Sequence, residues 1–227
     1  MSQPMKIRRG PLTTALAAAV FCTVTLTLAL TAAGLPPATA TGQPEPMPRD
    51  EEIAAALEAG PASIAGRAGV YVLEAGGYVR VRDSGNGYHC LVTRSAAGAF
   101  EPQCFDAEGS ASILREILMA AELRARGKSP AEVDREVAGA YADGRLRAPS
   151  RPGINYMLSP RNRVPVDDQG TVRPYRPHVM FYVPYLTNED LGAGPGSPVF
   201  VISEGTPRAY AVVPVPPETL ATAHHEE

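Results

Sequence analysis

The chain has 227 residues, of which 24 are acidic and 21 are lysine or arginine, and its net charge at pH 7 is −3. Without residues 1–40, which we predict to be cleaved, 18 basic and 24 acidic residues remain, a net charge of −6. We therefore expect no nucleic-acid partner, because binding to phosphate backbones requires a cationic surface. The length after residue 40 suits one domain with its own hydrophobic core.

The N-terminal 40 residues have the three parts of a secretory signal peptide. Lys6, Arg8 and Arg9 precede an uncharged stretch from 10 to 44, and Ala38-Thr39-Ala40 is a small-residue cleavage site. An uncleaved membrane anchor is the alternative, since the apolar body approaches the ~20 residues that span a bilayer. Both interpretations predict a secreted or periplasmic protein that touches the membrane only through this segment, if it is uncleaved.

A proline-rich spacer is predicted at 41–48, a single α+β domain at 49–215 and a flexible tail at 216–227. Within the domain, a short helix begins at Asp50 and ends before Gly60-Pro61. Strands at 70–73 and 78–82 flank the Gly76-Gly77 turn and predict a β-hairpin. A third strand at 88–92 follows, so we expect an antiparallel meander.

Cys90 and Cys104 are the cysteines that remain after the signal peptide. An even pair in an oxidising compartment indicates a disulfide. Closing a loop of this length should stabilise the fold by roughly 3 kcal/mol.

Two helices are predicted in the middle of the chain. Residues 110–126 carry apolar side chains with the 3.6-residue period of an amphipathic helix. Ser129-Pro130-Ala131-Glu132 is a capping box that starts a second helix, which ends at Gly144. The short connection indicates that the two helices pack antiparallel.

The strands then resume at 154–158, 177–184, 199–202 and 209–213. The stretch 177–184 (PHVMFYVP) is apolar without alternation, which predicts a central strand buried on both faces. Because strands, a helix pair and more strands follow one another, the sequence predicts an α+β fold. We expect a mostly antiparallel sheet of about six or seven strands, with an antiparallel helix pair on one face.

Seven arginines lie between Gly144 and Asn188 and face only Asp167 and Asp168, so this segment has a charge of +5. The functional interpretation is a pocket or surface for an anion, because guanidinium groups bind carboxylate and phosphate through two-point contacts. The structural interpretation is that these arginines pair with acidic residues of the 108–143 region. Both stay open. The arginines are Arg145, Arg147, Arg151, Arg161, Arg163, Arg173 and Arg176.

His89 and His178 are the histidines of interest, since each lies at a strand position and titrates near neutral pH. A zinc site would require a further ligand such as Glu204 or Asp167 beside both histidines. No cofactor motif and no nucleophile motif is present, and we predict no cofactor and no metal. Residues 192–196 are predicted to form a mobile loop that covers a pocket beside the central strand.

The segments GNGYHCLV (85–92), PQCFD (102–106), GINYMLS (153–159) and PHVMFY (177–182) resemble an uncharacterised family of exported bacterial proteins. The resemblance implies a secreted domain with paired cysteines and no known activity. It therefore assigns no functional residue.

The leading functional interpretation is a non-enzymatic binding or interaction module outside the cytoplasm, with an anionic small molecule or an envelope component as its partner. The alternative is an envelope hydrolase that uses His178 or His89 with a carboxylate; no catalytic residue is assigned. A His178→Ala variant with an unchanged melting temperature would indicate a functional role for that residue. The candidate ligand-binding residues are His178, Tyr156, Tyr182, Arg173, Arg176 and His89.

Overall fold

The computed structural model describes residues 47–167 and 169–216. The helices are α1 (Arg49–Leu57), α2 (Ala62–Ala65), α3 (Ala107–Ala111), α4 (Ile113–Ala125) and α5 (Pro130–Ala142). The first strands are β1 (Gly69–Glu74), β2 (Gly77–Arg82), β3 (His89–Thr93), β4 (Glu101–Phe105) and β5 (Ile154–Met157). The others are β6 (Arg163–Pro165), β7 (Val172–Pro174), β8 (His178–Tyr182), β9 (Phe200–Ile202) and β10 (Tyr210–Pro214).

The predicted signal peptide, most of the spacer and nearly all of the tail lie outside the described residues. Within 47–167 and 169–216, no helix combines the length and the apolar character needed to cross a bilayer.

Eight strands form the main sheet in the order β2-β1-β3-β4-β5-β8-β10-β9. All neighbouring pairs are antiparallel except β1 and β3, which are parallel. Strands β6 and β7 form a separate antiparallel ribbon. The predicted α+β class and mostly antiparallel sheet are confirmed, with eight strands because β4 adds to the seven expected from the sequence.

The predicted meander of the first three strands is wrong, because β3 pairs with β1 and not with β2. The connection after β2 crosses the start of β1, where the Arg67 guanidinium donates to the Gly85 carbonyl. The Asn86 amide likewise donates to the Ile64 carbonyl. These contacts attach the connection to the α2–β1 segment and bring His89 beside Gly69.

Helices cover the main sheet from both sides. Neighbouring residues of β3 show this directly, since Cys90 packs with α1 and Leu91 packs with the side chains of α4. Tyr141, near the end of α5, donates to Glu116, near the start of α4. The predicted antiparallel pair of α4 and α5 is therefore confirmed, and α1 lies on the opposite face.

The predicted disulfide is confirmed. Cys90 and Cys104 are bonded and lie directly opposite each other on β3 and β4, with their Cα atoms 4.1 Å apart. Both residues are buried beneath α1. A disulfide is consistent with an extracytoplasmic location.

The stretch predicted as the central strand forms β8, between β5 and β10. Its His178, Met180 and Tyr182 are buried, whereas Phe181 on the other face is 42% exposed. Burial on both faces is therefore a wrong prediction. The reason is that α1 packs mainly on β1, β3 and β4 and leaves the same face of β8 uncovered.

Candidate functional site

A cavity of about 490 Å³ lies on the side of the main sheet that α4 covers. Strands β3, β4, β5, β8 and β10 contribute its floor, and α4 contributes one wall. The β6–β7 ribbon and the β9–β10 hairpin contribute further residues to the lining. Most of the lining is apolar and includes Ile113, Ile117, Met157, Val164, Met180 and Phe200.

His178 lines this cavity from the first position of β8. His178 is only 3% exposed, and the Nδ1 atom of its ring lies 2.9 Å from the Arg176 carbonyl oxygen. Because a carbonyl only accepts, Nδ1 must carry the proton, and Nε2 of the neutral ring is then an acceptor. Burial lowers the pKa of His178, which favours the neutral ring. Nε2 forms no hydrogen bond with any residue that the structure describes.

Neighbouring residues hold the His178 ring in place. The Tyr175 ring packs edge-on against it, with the ring centroids 5.0 Å apart. The Tyr175 amide donates to the Asn162 carbonyl at 2.9 Å, and the buried Asn162 side chain donates to the Met157 carbonyl at 2.8 Å. Met157 in turn pairs with His178 across β5 and β8. The imidazole is therefore positioned before any ligand binds.

A chain of polar side chains crosses the floor of the sheet beside the cavity. The buried Asn155 amide donates to Gln103 Oε1 at 2.7 Å, and Gln103 Nε2 donates to Thr93 Oγ1 at 2.8 Å. Gln103 and Thr93 line the cavity. Their mutual hydrogen bonds satisfy most of their polar atoms, so His178 is the more available group for a ligand.

Three charged residues line the cavity: Glu101, Glu116 and Arg208. Arg208 donates to Glu116, and the Tyr141 hydroxyl donates to the second oxygen of the same carboxylate. Glu101 accepts hydrogen bonds from the Ser95 amide and hydroxyl, but burial still raises the pKa of Glu101. The lining therefore carries one paired cation and one carboxylate beyond that pair.

Comparison with protein-family models, with curated proteins and with solved structures found no match. The roles of the site residues therefore have to be argued from their contacts.

The structure separates the predicted tyrosines from the cavity-lining His178. Tyr182 is buried, and its hydroxyl donates to the Ile154 carbonyl at 2.9 Å. Tyr156 packs with the α1 side of the sheet and lies near Tyr88, with 6.2 Å between the ring centroids. Both tyrosines thus contribute to packing around the sheet.

His89 does not share a site with His178. Its strand is separated from β8 by β4 and β5, which corresponds to about 14 Å at the usual strand spacing. His89 Nδ1 lies 3.1 Å from the Ser110 hydroxyl, and a Cβ on the neighbouring Gly69 would overlap the His89 ring. Among the described residues, no cluster of histidine, cysteine or carboxylate side chains suits a metal ion.

All seven arginines of the basic segment are exposed, and four of them form ion pairs with carboxylates. Arg147 and Arg151 pair with Glu108, Arg145 pairs with Asp143, and Arg161 pairs with Glu58. Arg173 and Arg176 are exposed at the β6–β7 ribbon and the segment that follows it. Three of the seven arginines thus pair with the 108–143 region, as the structural interpretation predicts, and Arg161 pairs outside that region.

Sequence reasoning missed several residues of the cavity, above all Gln103, Thr93 and the lining residues of the β6–β7 ribbon. Gln103 lies in the segment PQCF of β4, where a proline and a polar glutamine interrupt the apolar pattern that would predict a strand. Strands β6 and β7 have three residues each, too few to show a hydrophobic period. Residues 192–196, which were predicted to cover the pocket, are not among the residues that line the cavity. Phe200, Ile202 and Ser203 line it instead.

Proposed function

We propose that this protein is a non-enzymatic binding domain that acts outside the cytoplasm and holds a small, largely apolar molecule. The observation that carries the proposal is the 490 Å³ cavity on the α4 side of the main sheet. Ligand sites in proteins have volumes of roughly 300–1,000 Å³ and combine mostly apolar walls with a few polar groups. This cavity has both properties.

The contacts of the two histidines support binding over hydrolysis. The hydrolase alternative requires a histidine that contacts a carboxylate, which would orient the ring and stabilise its charged form. His178 is oriented by a backbone carbonyl, and His89 contacts a serine hydroxyl that lies 3.2 Å from the Phe105 carbonyl. Among the described residues, neither histidine forms a hydrogen bond or an ion pair with a carboxylate, so the arrangement that the hydrolase alternative requires is not found there.

The pairing of the arginines supports the cavity over a surface for anions. Half-exposed arginines that already pair with carboxylates offer little additional attraction to a free anion. Arg173 and Arg176 remain the residues on which an anion-binding surface would depend.

The test is binding of naphthalene, an apolar probe, to the protein and to a variant with a blocked cavity. Ile117→Trp places a larger side chain in the lining from α4. Phe181→Trp is the control, because Phe181 lies on the exposed face of β8, away from the cavity. Ligand-observed NMR should show binding to the wild type and to Phe181→Trp, and at least tenfold weaker binding to Ile117→Trp.

Two results would contradict the proposal. One is that the folded wild-type protein binds neither naphthalene nor its hydroxyl derivative, 2-naphthol. The other is that Ile117→Trp, with its native circular dichroism spectrum retained, binds the probe as well as the control does.

A further inference from the structure

We propose that His178 Nε2 is the recognition point of the cavity and accepts a hydrogen bond from the ligand, which is a neutral molecule with an apolar body and one hydroxyl or N–H group. This inference rests on the proposed function and adds the chemical class of the ligand. It differs from the anionic ligand predicted from the sequence.

The first step is the fixed tautomer of His178. Nδ1 is committed to the Arg176 carbonyl at 2.9 Å, and the lowered pKa keeps the ring neutral near pH 7. Nε2 therefore presents a lone pair and no proton. It lies in a side chain that lines the cavity and has no partner within the described part of the chain. A ligand with a donor completes the hydrogen bonding of the ring.

The second step is the cost of leaving this acceptor unpaired. An apolar ligand that displaces water from the cavity without offering a donor leaves Nε2 buried and unsatisfied. Sites that hydrogen-bond a hydroxyl or N–H group reject analogues that lack it for this reason. The rigid support from Tyr175 and Asn162 prevents the ring from turning away to find another partner.

The third step is the charge of the lining. Arg208 is neutralised by Glu116, with which it forms a close ion pair, and Glu101 adds a further carboxylate. Arg124 acts on Glu101 electrostatically but does not line the cavity. A ligand carboxylate would therefore meet an acceptor at His178, and the described lining offers it no cation beyond Arg208, which Glu116 already pairs, so nothing in the lining favours its entry.

The experiment compares three probes that share one ring system: 2-naphthol, which has a donor, 2-methoxynaphthalene, which has none, and 2-naphthoate, which is anionic. Dissociation constants are measured by isothermal titration calorimetry at pH 7. We expect the wild type to bind 2-naphthol at least tenfold more tightly than either other probe, which corresponds to about 1.4 kcal/mol.

Three variants assign the preference to Nε2. His178→Phe keeps a ring but removes the acceptor, so binding of 2-methoxynaphthalene should persist while the preference for 2-naphthol disappears. His178→Gln supplies an amide oxygen near the position of Nε2 and should restore part of the preference. Phe181→Trp, on the opposite face of β8 from the cavity, is the control and should bind like the wild type.

The outcomes separate this inference from the proposed function. If no probe binds the wild type, the cavity itself is not a binding site and both fail. If the probes bind with equal affinity, or if 2-naphthoate binds best, the cavity binds ligands but the inference about His178 is wrong. This comparison uses the wild type alone and holds even if His178→Phe does not fold.

Discussion

Replacing Glu108 by glutamine should lower the free energy of unfolding by about 2 kcal/mol at pH 7, with the loss shrinking as the pH falls. Glu108 is 6% exposed, and one of its oxygens accepts from Arg147 at 2.6 Å and from the Ser150 amide at 2.7 Å. Arg151 lies 3.3 Å from the other oxygen. Glutamine keeps the shape of the side chain but removes the charge that these donors stabilise.

The magnitude follows from the pKa of Glu108. Hydrogen bonds from the Arg147 side chain and then from the Ser150 backbone lower this pKa from 4.5 to about 2. At 1.36 kcal/mol for each pKa unit, the charged form gains at most about 3.4 kcal/mol on folding. The Arg147 and Arg151 side chains are 47% and 66% exposed, so solvent screens the interaction and we expect about 2 kcal/mol.

The sign of the pH dependence is fixed by the lowered pKa. The stabilisation is complete above pH 4.5, the ordinary pKa of the group, and it is lost as the pH falls towards the folded value of about 2. Urea denaturation of the wild type and Glu108→Gln should therefore show a difference that falls by at least half between pH 7 and pH 3. Glu136→Gln, at an exposed position of α5, is the control and should change stability by less than about 0.5 kcal/mol. An equal difference between wild type and Glu108→Gln at both pH values would refute the reasoning.

Three further substitutions test the packing of the fold by urea denaturation. The double variant Cys90→Ala and Cys104→Ala should lose about 3 kcal/mol, the value expected for the 14-residue separation of the bonded pair, and reduction of the wild type should reproduce most of the loss. Gly109→Ala should destabilise by about 1–3 kcal/mol because its Cβ would overlap the Tyr182 hydroxyl, whereas Gly139→Ala in α5 meets no atom and should stabilise by about 0.8 kcal/mol. Arg94→Met should cost about 3–5 kcal/mol, since it leaves the fully buried carboxylate of Glu52 without its partner at 3.3 Å; equal stability of this variant and the wild type would show that the pair contributes nothing.

The elements that follow from the sequence are those with a strong local signal. The β1–β2 hairpin follows from its glycine turn, α4 and α5 follow from their apolar period and capping box, and the disulfide follows from the pair of cysteines. In α5 the capping box is present as predicted, with the Ser129 amide donating to Glu132 at 2.9 Å. Each of these signals lies within a few residues of the element it predicts.

Strand β4 shows why other elements could not be predicted. Proline is rare in central strands because it cannot donate to the ladder, and Pro102 therefore favours a loop. In the structure β5 pairs only with Cys104 and Phe105 of β4, so the part of β4 that contains Pro102 is locally an edge. Pro102 is tolerated because β5, about 50 residues further along the chain, is too short to pair with that part of β4. The local sequence around Pro102 cannot show this.

The cavity could not be predicted for a related reason. Its floor comes from strands that are distant in the sequence, and part of its wall comes from the short β6–β7 ribbon, whose prolines and arginines indicate a loop. His178 was predicted as a candidate because it starts an apolar strand. Its partners in the site, Tyr175 and Met157, depend on the pairing of β5 with β8 and on the contact of Asn162 with Met157.

The structure also changes what a stability measurement on His178 can reveal. His178 is 3% exposed, its ring packs against Tyr175, and its Nδ1 donates to the Arg176 carbonyl. Alanine would therefore remove packing and leave that carbonyl without its donor. His178→Ala is therefore expected to lower the melting temperature whether or not the residue binds a ligand, and the criterion suggested by the sequence cannot separate the two roles. The structural role and the binding role belong to different nitrogens of the ring. Nδ1 donates to the Arg176 carbonyl, whereas Nε2 has no partner among the described residues. His178→Phe removes both nitrogens, and His178→Gln returns an acceptor near the position of Nε2. Their ligand preferences therefore report on the acceptor, which the melting temperature cannot do.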